Sequence, residues 1–243
     1  MTTFAIGDIH GAHKALIQVL KCAKFDYEKD TLIVLGDVSD GWPETPQCVE
    51  ELLKIKDMIF VMGNHDYWAW KWLELGQAPW DWKLQGGQAT IDAYLQNGDL
   101  MTKHREQFFD KGNYYYIDEE NRVYVHGGFQ RGIKLEAQSY SMFLWDRTLA
   151  TKAANSPKQS KQPLNVHEFK EVYLGHTTIN SFGNLAKNKP HIGGNVILLD
   201  TGAGWEGVLT MMNVDTKQYF QSDIVASLYP EVVGRSGHKW NEI

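Results

Sequence analysis

The chain has 243 residues, 43% of them apolar, and a formal net charge of −6; the length allows one large domain or two small ones with a substantial core, and the acidic balance speaks against a dedicated nucleic-acid binder. Cys22 and Cys48 are the only cysteines, too few for a disulfide scaffold and consistent with a reducing compartment. Asp8 and His10 stand where a secretory leader needs an apolar stretch, and no run approaches the ~20 apolar residues of a membrane span, so the expected location is the cytoplasm.

Residues 3–6 read as a buried strand stopped by Gly7, and Ala12, Ala15, Leu16, Val19, Leu20 and Ala23 follow helical spacing. A second strand is expected over 31–35, stopped by Gly36, and a helix over 44–55, with Pro43 and Pro46 near its start. A third strand over 57–62 stops at Gly63. Strand, polar turn and helix therefore repeat, which predicts an α/β sheet with helices on its faces.

The segment 67–110 breaks this rhythm and reads as a helical cap inserted into a single domain spanning 1–243. It opens with five tryptophans, Trp68, Trp70, Trp72, Trp80 and Trp82. Packing between cap and body is the expected role of this cluster; the functional alternative is an aromatic wall for a base or a peptide side chain. A hairpin is expected over 113–117 and 122–125, ending at His126. Residues 150–165 are polar, with two prolines and three lysines, and read as a loop. Strands are expected over 171–174, 195–199, 208–214 and 218–221, forming a second sheet.

Five short strings stand at these strand ends: Gly7-Asp8-Ile9-His10-Gly11, Gly36-Asp37-Val38-Ser39-Asp40, Gly63-Asn64-His65-Asp66, His126-Gly127-Gly128 and Gly175-His176-Thr177. The carboxyl edge of an open α/β sheet is where ligands sit, so Asp8, His10, Asp37, Asn64, His126 and His176 form a candidate metal shell. Carboxylate, imidazole and amide oxygen without thiolate suit Mn²⁺ first, with Fe or Zn²⁺ also fitting. Six ligands exceed what one catalytic ion with an open position needs and suit two divalent ions, with Asp37 as the natural bridge. Taken singly, each string is an ordinary turn; their joint occurrence in order carries the inference. His13, His104, His167, His191 and His238 read as surface or structural, Asp66 as a helix cap and Asp200 as a brace for the turn at Gly202.

In these strings the chain resembles calcineurin-like metallophosphoesterases of the phosphoprotein-phosphatase branch, which includes Ser/Thr protein phosphatases and symmetrical diadenosine tetraphosphatases. Gly86-Gly87-x-x-Thr90, Leu144-Trp145-Asp146-Arg147 and Leu199-Asp200-Thr201-Gly202-Ala203 extend the likeness along the chain. The resemblance implies an αββα sandwich of two mixed sheets flanked by helices. It implies one ion on Asp8, His10 and Asp37, and another on Asp37, Asn64, His126 and His176. His65 would be the general acid, Asp40 would orient it, and Asn64 and Arg147 would contact the substrate phosphate. Two departures stand out. Gly175-His176-Thr177-Thr178 lacks the terminal histidine common in the wider superfamily, and Asp40-Gly41-Trp42 stands where the branch has Asp-Arg-Gly. The missing guanidinium would have gripped phosphate bidentately; Arg147 or Arg131 is the expected substitute. The leading expectation is a hydrolase of phosphoserine or phosphothreonine monoesters in protein or small-molecule substrates, using a water activated between the ions. A hydrolase of dinucleoside polyphosphates or other phosphodiesters is the alternative, and a catalytically silent metal-binding regulatory module the third reading.

Overall fold

Period-two alternation in the strands sorts the apolar residues into three separate cores. In the computed structural model, which describes residues 1–156, 164–235 and 237, β1 (Thr3–Ile6) turns Phe4 and Ile6 to one face and Ala5 to the other. β2 (Thr31–Val34) divides Leu32 and Val34 from Ile33 in the same way. β5 (Arg122–Val125), β6 (Glu171–Leu174) and β8 (Val196–Leu198) repeat the pattern: Tyr124, Tyr173 and Ile197 join Ala5 and Ile33 in the central core, while their neighbours face outward. The outward faces are covered by helices, among them α1 (His13–Cys22) and α2 (Thr45–Leu52) on one side and Thr148–Ala154 on the other. The layers are helix, sheet, sheet, helix, as expected for an αββα sandwich.

With β3 (Asp57–Phe60), β4 (Tyr115–Ile117), β7 (His191–Gly193), β9 (Thr210–Asn213) and β10 (Tyr219–Gln221), the strands form two five-stranded sheets. The first runs β10-β9-β1-β2-β3 and the second β4-β5-β6-β8-β7. Both are mixed: β1, β2 and β3 are parallel, as are β5, β6 and β8, with antiparallel strands at the edges.

Three expectations need correction. The strands near 208–214 and 218–221 do not join the second sheet; β9 pairs antiparallel with the edge of β1 that β2 leaves open, and β10 follows it. β7 was not anticipated; it is a three-residue edge strand of mixed polarity. The start of the expected 150–165 loop is helical to Ala154, because Leu149, Ala150, Ala153 and Ala154 bury one face under the second sheet. Residues 157–163, with two of that loop's lysines, lie outside the described residues, as does His238.

Between β3 and β4 the chain is mainly helical. α3 (Asn64–Leu75) is followed by Trp80–Trp82, a kinked turn over Lys83–Gly87, and helices Gln88–Gln96 and Leu100–Gln107. α3 starts at Asn64 rather than 67, so the Gly63-Asn64-His65-Asp66 string is its first turn, and the Asp66 carboxylate caps it by accepting from Gly63 N. Trp72 and Trp82 are buried with rings 6.0 Å apart, whereas Trp80 is 71% exposed. Core packing therefore accounts for part of the tryptophan cluster only. Among the described residues no helix is long and apolar enough to cross a membrane.

Candidate active site

The parallel strands of both sheets end at one edge, and each delivers a site residue there. β1 leads into Asp8 and His10, β2 into Asp37 and Asp40, β3 into Asn64 and His65, β5 into His126 and β6 into His176. The turns are tight. A Cβ on Gly63 would fall on Asp37 Oδ1, so only glycine lets the first turn of α3 reach the end of β2. His10, Asp37, Asp40 and His176 all have positive φ, between 50° and 75°. Such strain in residues other than glycine clusters where geometry serves function.

Two ligand sets share one carboxylate. Asp8, His10 and Asp37 hold their donor atoms within 4.8 Å of one another, and so do Asp37, His126 and His176. Asn64 Oδ1 lies 3.2 Å from His126 Nε2, beside the second set. His10 Nδ1 is 3.1 Å from the Ser39 carbonyl and His126 Nδ1 is 2.7 Å from that of Leu35. Both rings therefore donate through Nδ1 and turn Nε2 inward, where its lone pair serves a metal once the ring is neutral. His176 Nε2 is buried with no hydrogen-bond partner among the described residues. This donor set fits the two divalent ions expected from the sequence.

The electrostatics follow from crowding. Burial opposes ionisation of Asp37, but His126 and His65 hold its carboxyl well below the usual range. Burial alone would lower His126; the Asp37 carboxylate, with Oδ1 3.3 Å away, lifts it to about 9. His176 falls to about 2 through burial, then repulsion from His126 and Arg147. Asp8 is raised by burial and by Asp200 nearby.

His65 and Asp40 are joined as the resemblance implies, Nδ1 donating to Oδ2 at 2.6 Å. Sequence reasoning missed what holds Asp40. Trp82 Nε1 donates to the same oxygen at 2.6 Å, and Asp40 N donates to Thr90 Oγ1 at 2.8 Å. A Cβ on Gly87 would overlap the Trp82 indole, so the Gly86-Gly87-x-x-Thr90 string builds the seat of Asp40. Asp66 accepts from Val38 N, Ser39 N and Ser39 Oγ as well as from Gly63 N, tying the β2 turn to α3. Asp200 accepts from Gly202 N, the brace expected of it.

Of these groups, His10, Asp37, Asn64, His65, His176 and Asp200 line a cavity of about 470 Å³. Trp68, Trp145, Trp205 and Arg235 line it too; Trp68 belongs to the cluster whose alternative role was an aromatic wall, while Trp205 and Arg235 were not singled out from the sequence. Arg147 also lines it, with Nη1 donating to His176 O and Thr177 Oγ1. Arg131 is not brought to the site. It is exposed beside a different cavity, and its Nη2 donates to Asn165 O.

The calcineurin-like phosphoesterase family model matches residues 1–198. A symmetrical bis(5'-nucleosyl)-tetraphosphatase of Pseudomonas fluorescens is 37% identical over 90% of this chain and 94% of its own length. One from Nitrosomonas europaea is 24% identical over 91% of this chain and 98% of its own. Among solved structures, a metallophosphoesterase from Sphaerobacter thermophilus superposes with a TM-score of 0.56 at 15% identity, covering 93% of this chain and 90% of that one. Sequence, fold and the convergent donor set agree: the chain belongs to the calcineurin-like phosphoesterase family.

Proposed function

We propose that this phosphoesterase hydrolyses dinucleoside polyphosphates, cleaving an internal phosphoanhydride to release two nucleotides. The observation that carries the reading is the aromatic wall. Trp68, Trp145 and Trp205 stand around the same cavity as both ligand sets, and a nucleoside needs flat apolar faces beside the groups that handle its phosphates. The names of the relatives support it. We rank it above the phosphoserine or phosphothreonine monoester that the sequence alone puts first.

Ions on Asp8, His10 and Asp37, and on Asp37, Asn64, His126 and His176, would supply positive charge to the phosphoryl oxygens and an activated water. Mn²⁺ is our first choice for such a nitrogen and oxygen set. Asp37 offers one oxygen to each set. Asn64 and Arg147 stand at the cavity wall to hold phosphoryl oxygens, Arg147 through the donors left after its bonds to His176 and Thr177. With Nδ1 donated to Asp40, His65 keeps Nε2 to carry a proton. As the water oxygen bonds to phosphorus and the bridging P–O bond breaks, that proton goes to the leaving oxygen.

The test offers Mn²⁺-loaded protein four substrates: diadenosine tetraphosphate, a phosphopeptide, an aryl phosphate and a bis-aryl phosphate. Preferred release of two nucleoside diphosphates is expected. Turnover of monoesters alone would restore the phosphatase reading, and silence on all four would point to a regulatory module.

A further inference from the structure

We propose that Arg235 grips the phosphoryl group under attack, taking from the far end of the chain the place of the guanidinium missing after Asp40; the proposal rests on the phosphoester reading of the site.

The space beside Asp40 is shaped for this side chain. Gly41 has φ of +88°, a conformation that resists any side chain. A Cβ there would lie 3.3 Å from Arg235 Cδ. On the other side, a Cβ on Gly86 would lie 3.2 Å from Arg235 Cγ. The two glycines are joined by the Gly41 N to Gly86 O hydrogen bond, 3.2 Å long, and the Arg235 stem runs against both. Trp42 accounts for the other half of the departure. Its ring packs under Gly234, stacks on Tyr229 at 5.1 Å and donates from Nε1 to Ala203 O at 2.8 Å. Gly41 leaves room for the arginine, and Trp42 anchors the segment that carries it.

The guanidinium is held but not consumed. It lies over the Trp205 ring, 4.5 Å from the centroid, a contact that orients a planar cation without using its N–H donors. Its Nε is buried with no hydrogen-bond partner among the described residues. Its Nη1 is 3.2 Å from His10 Nε2, whose lone pair is the only acceptor on that ring because Nδ1 faces the Ser39 carbonyl. Once His10 ligates an ion, that lone pair is used, and Nη1 is free for an oxygen of a phosphoryl group. A charged fork with unused donors at the wall of a phosphate cavity is the arrangement bidentate phosphate recognition requires.

Arg235→Gln and Arg235→Lys separate this role from a structural one. Each variant is loaded with Mn²⁺, and three quantities are read: metal content, the Kd of inorganic phosphate by calorimetry, and kcat/KM on whichever of the four substrates the unaltered protein prefers. Arg235→Gln is expected to keep both ions and to weaken phosphate about tenfold or more. Arg235→Lys keeps the stem and the charge but loses the fork, and is expected to weaken phosphate severalfold. A phosphate Kd within twofold of the unaltered protein, in a variant that keeps its ions, would overturn the proposal. If Arg235→Gln loses its ions or folds poorly, the lysine variant is read by the same criterion. Phosphate affinity needs no turnover, so silence of the unaltered protein on all four substrates would sink the functional reading while leaving the arginine's role measurable. Trp205→Leu, which removes the platform under the guanidinium, is expected to weaken phosphate severalfold as well.

Discussion

The Nε1 of Trp82 lies 2.6 Å from Oδ2 of Asp40, so a residue of the helical segment grips the carboxylate that holds His65. Trp82→Phe keeps the buried ring and removes the donor. A hydrogen bond to a charged group contributes about 1.5–3 kcal/mol, and part of this serves to hold the imidazole in line. The expected result is a fall in kcat of about tenfold with KM within twofold, measured on the preferred substrate. An unchanged kcat in a folded variant would show that Asp40 needs no second donor.

Removing the imidazole itself tests the proton transfer. His65→Asn is expected to lower kcat about 10²–10⁴-fold on the phosphopeptide, whose leaving alkoxide depends on the proton. The loss should shrink sharply for an aryl phosphate, whose leaving oxygen needs little protonation. Metal content should stay constant, because His65 belongs to neither ligand set. An equal loss on both kinds of substrate would remove His65 from the general-acid role.

Loading with metal should release a proton. In protein stripped of divalent ions by chelation, His126 stands at about 9, so it is protonated near neutral pH. Ligation needs the neutral ring, and affinity for the second ion should rise up to about tenfold per pH unit below about 9 and level off above it. Calorimetric titrations in buffers of different ionisation heat should count close to one proton released from His126. The same raised value has a stability consequence in stripped protein. The His126 contribution is complete below the unfolded value near 6.5 and is lost as pH rises through about 9. Buffer-independent heats would contradict both expectations.

Asp66 is expected to matter more for folding than for chemistry. Its carboxylate accepts four hydrogen bonds from the β2 turn and the start of α3, and it is fully buried. Asp66→Asn puts an amide N–H₂ where only acceptors fit. The expected loss is about 2–4 kcal/mol, read as a lower urea midpoint with an unchanged slope. A shift under 0.5 kcal/mol, roughly that of a surface substitution, would count against this role.

The candidate ligands were legible because each is local: a glycine, a strand end and the side chain that follows lie within a few residues of one another. The same holds for the alternation that sorts Phe4 from Ala5 or Val123 from Tyr124. Pairing was not legible, since β9 reaches β1 across some two hundred residues and nothing in either strand names its partner. Trp80 and Trp82 look equivalent in the chain, yet one is exposed and the other seats Asp40, because two residues apart on one helical turn they face opposite ways. Arg131 was an expected substitute for the missing arginine, but it is exposed and its Nη2 donates to Asn165 O. Arg235 carried no motif at all, and its partner Gly41 could be read only as something missing.

The second ligand set draws on both halves of the sandwich: Asp37 follows a strand of the first sheet, while His126 and His176 follow strands of the second. An ion bound there would link two sheets that already meet through Ala5, Ile33, Tyr124 and Tyr173 and through the hydrogen bond from His126 Nδ1 to Leu35 O. An ion at that position would therefore tie the His65 side of the cavity to the Arg147 side.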